Sequence, residues 1–210
     1  MIGKKTDQIF IRGFDYRRSD TAKISKNLQY EIFKKILYAD KIEDIKQELI
    51  KYVQDTIKNF ESLPLSDIAI PYGFSKDLSE YGGINKNGNK IGLDPEVRGS
   101  LYSNEYLGTN FAMGSKVKLL YITKIGKNNK QINVIPFGEN TTIINVQETK
   151  DDIYPPTDVI CFEEESKLPQ LEVNYNKMIE LTIKRKIERI LGVAGISWNE
   201  IEGQQSLFDF

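Results

Sequence analysis

Two runs of apolar residues at helical spacing, one straight after the other, constrain this chain more than anything else in it. Ile24, Leu28, Ile32 and Ile36 recur every four residues, and Ile42, Ile45, Leu49, Val53, Ile57 and Phe60 then share one face of a second run. That spacing belongs to amphipathic helices that each bury one stripe. The first helix is predicted from a cap at Ser19 or Asp20 to about Tyr38, and the second from about Ile42 to Phe60. The short link around Asp40 makes them an antiparallel helical hairpin.

Outside the hairpin the pattern changes. Gln8 to Phe14 alternates Ile9 and Ile11 with polar neighbours and ends at Gly13, which predicts a short strand and a turn. Asp67 to Pro71 reads as a strand, and Tyr72 to Asn89 as a loop rich in Gly, Asn and Lys. Glycines 82, 83, 88 and 92 fit no phosphate-binding loop and are read as turn residues. Ser115 to Ile125 and Gln131 to Phe137 are two strands joined by Gly126-Lys127-Asn128-Asn129-Lys130, a hairpin signal. Further strands are predicted at Thr142 to Val146 and Val159 to Phe162. A third long helix is predicted from Tyr175 to about Leu191, with Met178, Leu181, Ile187 and Leu191 among its apolar positions. Gly192 and Gly195 end it, and a tail begins at Ile196. The fold class is therefore α+β: a helical hairpin, a small mostly antiparallel β region and a C-terminal helix.

Composition excludes several chemistries. The 210 residues suffice for one large or two small domains with a real core, and a net charge of −1 gives no bulk attraction to nucleic acid. Charge is uneven along the chain: basic through Lys4, Lys5, Arg12, Arg17, Arg18, Lys23, Lys26, Lys34 and Lys35, acidic around Asp151, Asp152, Asp158, Glu163 and Glu164. Such asymmetry lets one face meet phosphates. The absence of histidine removes imidazole catalysis and histidine metal sites, and the single cysteine, Cys161, removes intrachain disulfides and cysteine metal clusters. Cys161 lies in the apolar run Val159-Ile160-Cys161-Phe162 and is expected to be a buried structural thiol. No apolar run reaches bilayer length and no signal peptide is visible, so a soluble cytoplasmic protein is expected.

The last residues, Gln204-Gln205-Ser206-Leu207-Phe208-Asp209-Phe210, place a glutamine three positions before a leucine and aromatics after it. On one helical turn Leu207 and Phe210 share a face with Phe208 beside them, a pattern suited to plugging an apolar groove. It resembles the peptide by which replication and repair proteins of archaea and eukaryotes dock on the ring-shaped sliding clamp. The resemblance implies that Gln204 enters a polar pocket while Leu207, Phe208 and Phe210 enter an apolar one. It departs from the full pattern, which has two adjacent aromatics where this sequence has only Phe210. The other reading has Leu207, Phe208 and Phe210 folding back on the chain's own core.

Two further segments carry a wider resemblance. Ile11-Arg12-Gly13-Phe14-Asp15-Tyr16-Arg17-Arg18-Ser19-Asp20, followed by the helical hairpin, is similar to the start of the thumb of archaeal family B DNA polymerases. Ser75-Lys76-Asp77-Leu78-Ser79-Glu80-Tyr81 resembles that family's thumb loop around a Leu-Ser-x-Tyr core. Leu107-Gly108-Thr109-Asn110, Gly114-Ser115-Lys116-Val117, Tyr121-Ile122 and the stretch from Asp158 through Met178-Ile179-Glu180 to Leu191 follow in the family's order. Segments on this reading are residues 1–20 (palm–thumb junction), 21–110 (thumb hairpin and DNA-contacting loop), 111–195 (β-hairpin and helix subdomain) and 196–210 (flexible tail with the clamp peptide).

The resemblance implies a part of a DNA-directed DNA polymerase that grips primer–template duplex without reading its sequence. Arg17 and Arg18 at a strand-to-helix turn, and Lys76, Ser79 and Tyr81 in a loop, would contact the phosphate backbone. On their own residues, Arg17 or Arg18 has the alternative of pairing with Asp15 or Asp20 to brace the turn, and Tyr81 that of packing on the hairpin. The family's metal-binding palm aspartates, in Asp-x-x-Ser-Leu-Tyr-Pro and Asp-Thr-Asp, are missing. Val97 stands where the first would precede Ser100-Leu101-Tyr102, and Asp151-Asp152 lacks the spacing. The chain is thus expected to hold no cofactor, to be inactive alone, and to act with a large subunit carrying palm, fingers, exonuclease and Mg2+. A natural split of the polymerase into two polypeptides is expected over an excised fragment. The alternative function is a free-standing clamp-binding adaptor that never touches DNA.

Overall fold

The computed structural model describes residues 2–5, 8–12, 15–84, 90–127, 130–133 and 157–203. The chain forms two compact units. One comprises the described residues up to Ala69 together with those from Tyr175 onward, and the other is Ile70–Asn174. Mixed helix and antiparallel strand is the class expected from the sequence.

The first unit opens with β1 (Ile2–Lys5) and β2 (Gln8–Ile11), paired antiparallel with Ile2 opposite Ile11. A 3-10 turn over Asp15–Arg17 leads to α1 (Lys23–Tyr38). Neither Ser19 nor Asp20 caps this helix. Ala22 stands at the cap without a side-chain bond, because Arg18 holds the Asp20 carboxylate. A charge-assisted pair outcompetes a single cap bond to backbone N–H. Leu28, Ile32 and Phe33 of α1 are buried, with Ser25 and Gln29 among them. α2 (Ile42–Lys58) follows after a three-residue link and buries Leu49, Ile50 and Val53. It stops two residues short of the predicted end, where the Asn59 backbone N–H donates to the Asp55 carbonyl. Phe60 is buried in the 3-10 turn Phe60–Ser62.

Where a strand was expected from Asp67, the chain first makes one helical turn, α3 (Leu65–Ile68). Pro64 explains this: its fixed φ suits the position before a helix, and its carbonyl accepts the Asp67 N–H at 2.9 Å. The strand itself is β3 (Ile70–Gly73), and it begins the second unit.

That unit is organised on one long strand. The predicted loop after β3 holds a 3-10 turn (Leu78–Glu80) and a small ladder of β4 (Gly83–Ile84) with β5 (Lys90–Ile91). α4 (Pro95–Tyr106) comes next, an element the apolar pattern did not reveal. β6 (Lys116–Lys127) and β7 (Lys130–Asn133) form the expected hairpin, with Lys127 opposite Lys130. Residues 134–137 of the second predicted strand, and all of Thr142 to Val146, lie outside the described residues.

β8 (Val159–Phe162) pairs antiparallel with Lys118–Tyr121 of β6 and is buried along its whole length. β9 (Leu171–Val173) pairs further along the same strand, with Val173 opposite Ile122. β3 opposes Lys116–Leu119, with Ile70 facing Leu119. The first and last strands of the inserted unit therefore meet β6 on either side of Tyr121, whose carbonyl accepts the Asn174 N–H at 2.9 Å. An insertion whose two ends emerge side by side can be accommodated in one chain without disturbing its host.

α4 lies against β8 through small residues. A Cβ on Gly99 would come within 3.0 Å of Cys161 Sγ and 3.1 Å of the Ile160 carbonyl carbon, so only glycine fits there without displacement. Ser103 Oγ donates to the Cys161 carbonyl at 2.7 Å. Cys161 is fully buried, and burial pushes its thiol up to about 12, as an inert structural cysteine should be. Gly108, with φ of 69°, turns the chain out of α4, and the Asn104 side chain ties the loop by exchanging bonds with the Phe111 backbone at 2.7 and 2.8 Å.

The chain re-enters the first unit through one long helical run made of α5 (Tyr175–Ile179), a π turn (Glu180–Lys184) and α6 (Arg185–Val193). Thr182 Oγ1 donates to the Met178 carbonyl, and Ser25 Oγ of α1 donates to the Thr182 carbonyl at 2.5 Å. Gln29 Nε2 adds a bond to the Lys186 carbonyl. Side chains of α1 thus satisfy carbonyls in and just beyond the widened turn. The helix runs through Gly192 to Val193, two residues past the expected end, and Gly195, with φ of 67°, is the glycine that closes it. The tail then forms α7 (Trp198–Gly203), with the Glu200 carboxylate accepting both the Ser197 backbone N–H and its hydroxyl, and with Ile196, Trp198 and Ile201 buried. Gln54 of α2 donates to the Ile201 carbonyl and Lys46 pairs with Glu200 at 2.9 Å, so the described part of the tail is packed on α2.

Candidate nucleic-acid interface

In the first unit, the predicted arginines lie on the turn between β2 and α1. Two carboxylates stand close by. Lys186 Nζ takes Asp15 at 2.8 Å, and Arg18 takes both oxygens of Asp20, through Nε at 2.8 Å and Nη2 at 2.5 Å. That bonding holds the Asp20 carboxyl below its ordinary range. Arg18 therefore braces the turn, the alternative reading of this residue. Its guanidinium is exposed, and exposed pairs contribute little to stability, so a phosphate can compete for it.

Arg17 is different. It is exposed and makes no ion pair among the described residues. Its guanidinium carbon lies 5.9 Å from the ring centre of Phe10, with that of Arg12 at 4.5 Å. Two cations thus share one exposed ring, an arrangement that attracts polyanions.

In the second unit, Lys76, Ser79 and Tyr81 occupy one short loop. Asp77 caps the turn Leu78–Glu80 in a reciprocal box: its side chain accepts the Ser79 N–H, while Glu80 accepts the Asp77 N–H at 3.2 Å. Ser79 Oγ donates to Asp77 at 3.2 Å. Lys76 Nζ reaches back to the Glu80 carbonyl at 3.0 Å and sits 4.3 Å from the centre of the Tyr81 ring. Tyr81 packs edge-on against Phe74, 5.8 Å away, in its own unit.

The structure thus brings Lys76, Ser79 and Tyr81 together on one loop, while Arg17 and Arg18 belong to the other unit. Gln204, Leu207, Phe208 and Phe210 lie outside the described residues, as do Asp151 and Asp152. Sequence reading missed Tyr72 and Phe74, whose rings lie one behind the other next to Tyr81. Their relation to Tyr81 is made by folding, and no spacing signals it. Among the described residues no group of His, Cys, Asp and Glu is placed to hold a metal ion, and no helix is long and apolar enough to cross a membrane. No protein-family model matches the chain, and the search of curated proteins finds no match.

Proposed function

We propose that this chain is the thumb of a family B DNA polymerase, a non-catalytic part that grips primer–template duplex and docks the enzyme on a sliding clamp. The observation that carries the reading is the collinear run of thumb-like segments, beginning with Ile11 to Asp20 ahead of the helical hairpin and continuing through Ser75 to Tyr81. The exposed Arg17, its neighbour Arg12 and the lysine- and hydroxyl-bearing loop at 75–81 support it. They are the cations and donors that a sequence-blind grip on phosphates requires. No step of nucleotide transfer falls to this chain. A catalytic partner would supply the palm carboxylates and the Mg2+ ions that the transfer needs.

Docking through Gln204, Leu207, Phe208 and Phe210 would hold the enzyme on its template by effective concentration, so a weak peptide suffices. The test is affinity purification of the tagged chain from native extract, with partners identified by mass spectrometry. A large polypeptide carrying Asp-x-x-Ser-Leu-Tyr-Pro and Asp-Thr-Asp is the expected partner. Recovery of the clamp with no polymerase would make the chain an adaptor and overturn the proposal.

A further inference from the structure

The outer face of the β1–β2 hairpin carries an apolar ring that the first unit does not bury. Neighbouring residues of β2 point to opposite faces, and Ile11 is buried while Phe10 is 43% exposed. Across the ladder Phe10 stands opposite Gly3, so no directly opposed side chain shields the ring. Residues two apart along an extended chain share a face, which brings Arg12 beside the ring, its guanidinium carbon 4.5 Å from the ring centre. Arg17 reaches the same ring from the 3-10 turn, at 5.9 Å. Both arginines are exposed.

The nearby carboxylates are engaged elsewhere. Lys186 holds Asp15 at 2.8 Å, and Arg18 holds Asp20. Among the described residues Arg17 makes no ion pair. The turn that carries it is fixed from two sides. Tyr16 stacks on Tyr30 of α1 with centroids 6.1 Å apart, and the Asp15–Lys186 bond ties the turn to α6. A cation on a fixed turn loses little freedom when it meets a ligand. Duplex phosphates explain the arginines but not the ring, because a duplex hides the faces of its bases and offers phosphate oxygens. An unpaired base has an open π-face. An exposed aromatic ring set among cations suits a single strand, with a base on the ring and phosphates on the cations.

We infer that Phe10, Arg12 and Arg17 form a site for a single-stranded stretch of nucleic acid, the ring stacking on an unpaired base and the guanidiniums holding the phosphates beside it. The site goes beyond the grip on duplex proposed above, since bases within a duplex are stacked on each other.

The experiment measures binding of the full chain, over a salt series, to two probes. One is an oligothymidylate of about 12 nucleotides carrying a stacking-sensitive fluorescent base, and the other is a blunt duplex. The variants are Phe10→Leu, Phe10→Trp and Arg17→Ala. Phe10→Leu keeps an apolar side chain but no ring. It is expected to weaken binding of the single strand about tenfold and to abolish the fluorescence change, with the salt slope unchanged because no charge is removed. Its binding of the blunt duplex should change by no more than about twofold, the scale of an exposed cation–π contact. Phe10→Trp, with a larger π-face, should bind the single strand at least as tightly as the unmodified chain. Arg17→Ala should lower the single-strand salt slope by about 0.7. The inference is overturned by an equal loss on both probes in Phe10→Leu, by normal single-strand binding in that variant, by a Phe10→Trp variant no better than it, or by a slope that ignores Arg17. Duplex binding without single-strand binding also overturns it, leaving the grip on duplex standing and the ring to a protein contact. Failure to bind either probe would sink the proposed function together with the inference.

Discussion

Phe60→Ala lowers the stability of the first unit by about 3–5 kcal/mol, the cost of deleting a fully buried aromatic ring. Phe60 is completely buried, and its ring meets that of Tyr175 edge to face, with centroids 6.3 Å apart and planes at 89°. Its place in the chain makes it a joint. It stands just beyond the end of α2, and Tyr175 is the first residue of α5, where the chain returns to this unit. The ring therefore joins segments more than a hundred residues apart in sequence. Alanine leaves a cavity there and also forfeits the edge-to-face contact. Phe60→Leu keeps most of the volume and should cost about 1.5 kcal/mol. Because the chain has two units, one unfolding curve does not isolate the effect. Hydrogen exchange resolved by peptide does, with protection lost in α1, α2 and α5. Retained protection there would mean that Phe60 is not a joint.

Arg98→Ala takes about 3 kcal/mol from the second unit, as does removal of one partner from other largely buried ion pairs. Both side chains are mostly buried, and Nη2 donates to Asp158 Oδ1 at 2.5 Å while Nη1 donates to the Leu93 carbonyl at 3.2 Å. The pair ties α4 to the residue just before β8, whose backbone carbonyl accepts the Ile122 N–H of β6. Alanine leaves the Asp158 carboxylate in a poorly solvated place without its cation. Replacing both at once, with Arg98→Met and Asp158→Asn, removes the stranded charge and should restore much of the loss. If the double variant is as unstable as Arg98→Ala, the loss came from packing of the arginine stem and not from the charge.

Helices with a wide apolar stripe were legible in the sequence, and α4 was not. The difference lies in what each helix buries. α1 and α2 bury leucine, isoleucine, valine and phenylalanine at regular spacing. α4 presents Gly99, Ser100 and Ser103 to β8, so close approach takes the place of large side chains and the apolar period disappears. The available signal was Asp94-Pro95, a cap residue followed by proline in the first helical position. The strand at Val159 to Phe162 was plain because a strand buried on both faces reads as a continuous apolar run.

Which elements share a core was beyond periodicity altogether. The contacts that return α5, α6 and α7 to α1 and α2 span the whole inserted unit. α7 and its approach offered only Ile196, Trp198 and Ile201, too few positions to declare a period. The candidate site divides in the same way. Arg17, Arg18, Lys76, Ser79 and Tyr81 were named from local sequence. The Arg18–Asp20 pair, two residues apart, was legible as an alternative, while Tyr72 and Phe74 were invisible because folding alone brings their rings in line with Tyr81.

The most direct measurement is the affinity of the purified chain for two primer–template duplexes of unrelated sequence, from about 50 to 200 mM salt. Binding is expected to be equal for the two sequences and to weaken linearly on logarithmic axes, with a slope reduced by about 2 in the Arg17→Ala, Arg18→Ala variant. Absence of binding, or binding that ignores both salt and the two arginines, would contradict the proposed grip on duplex.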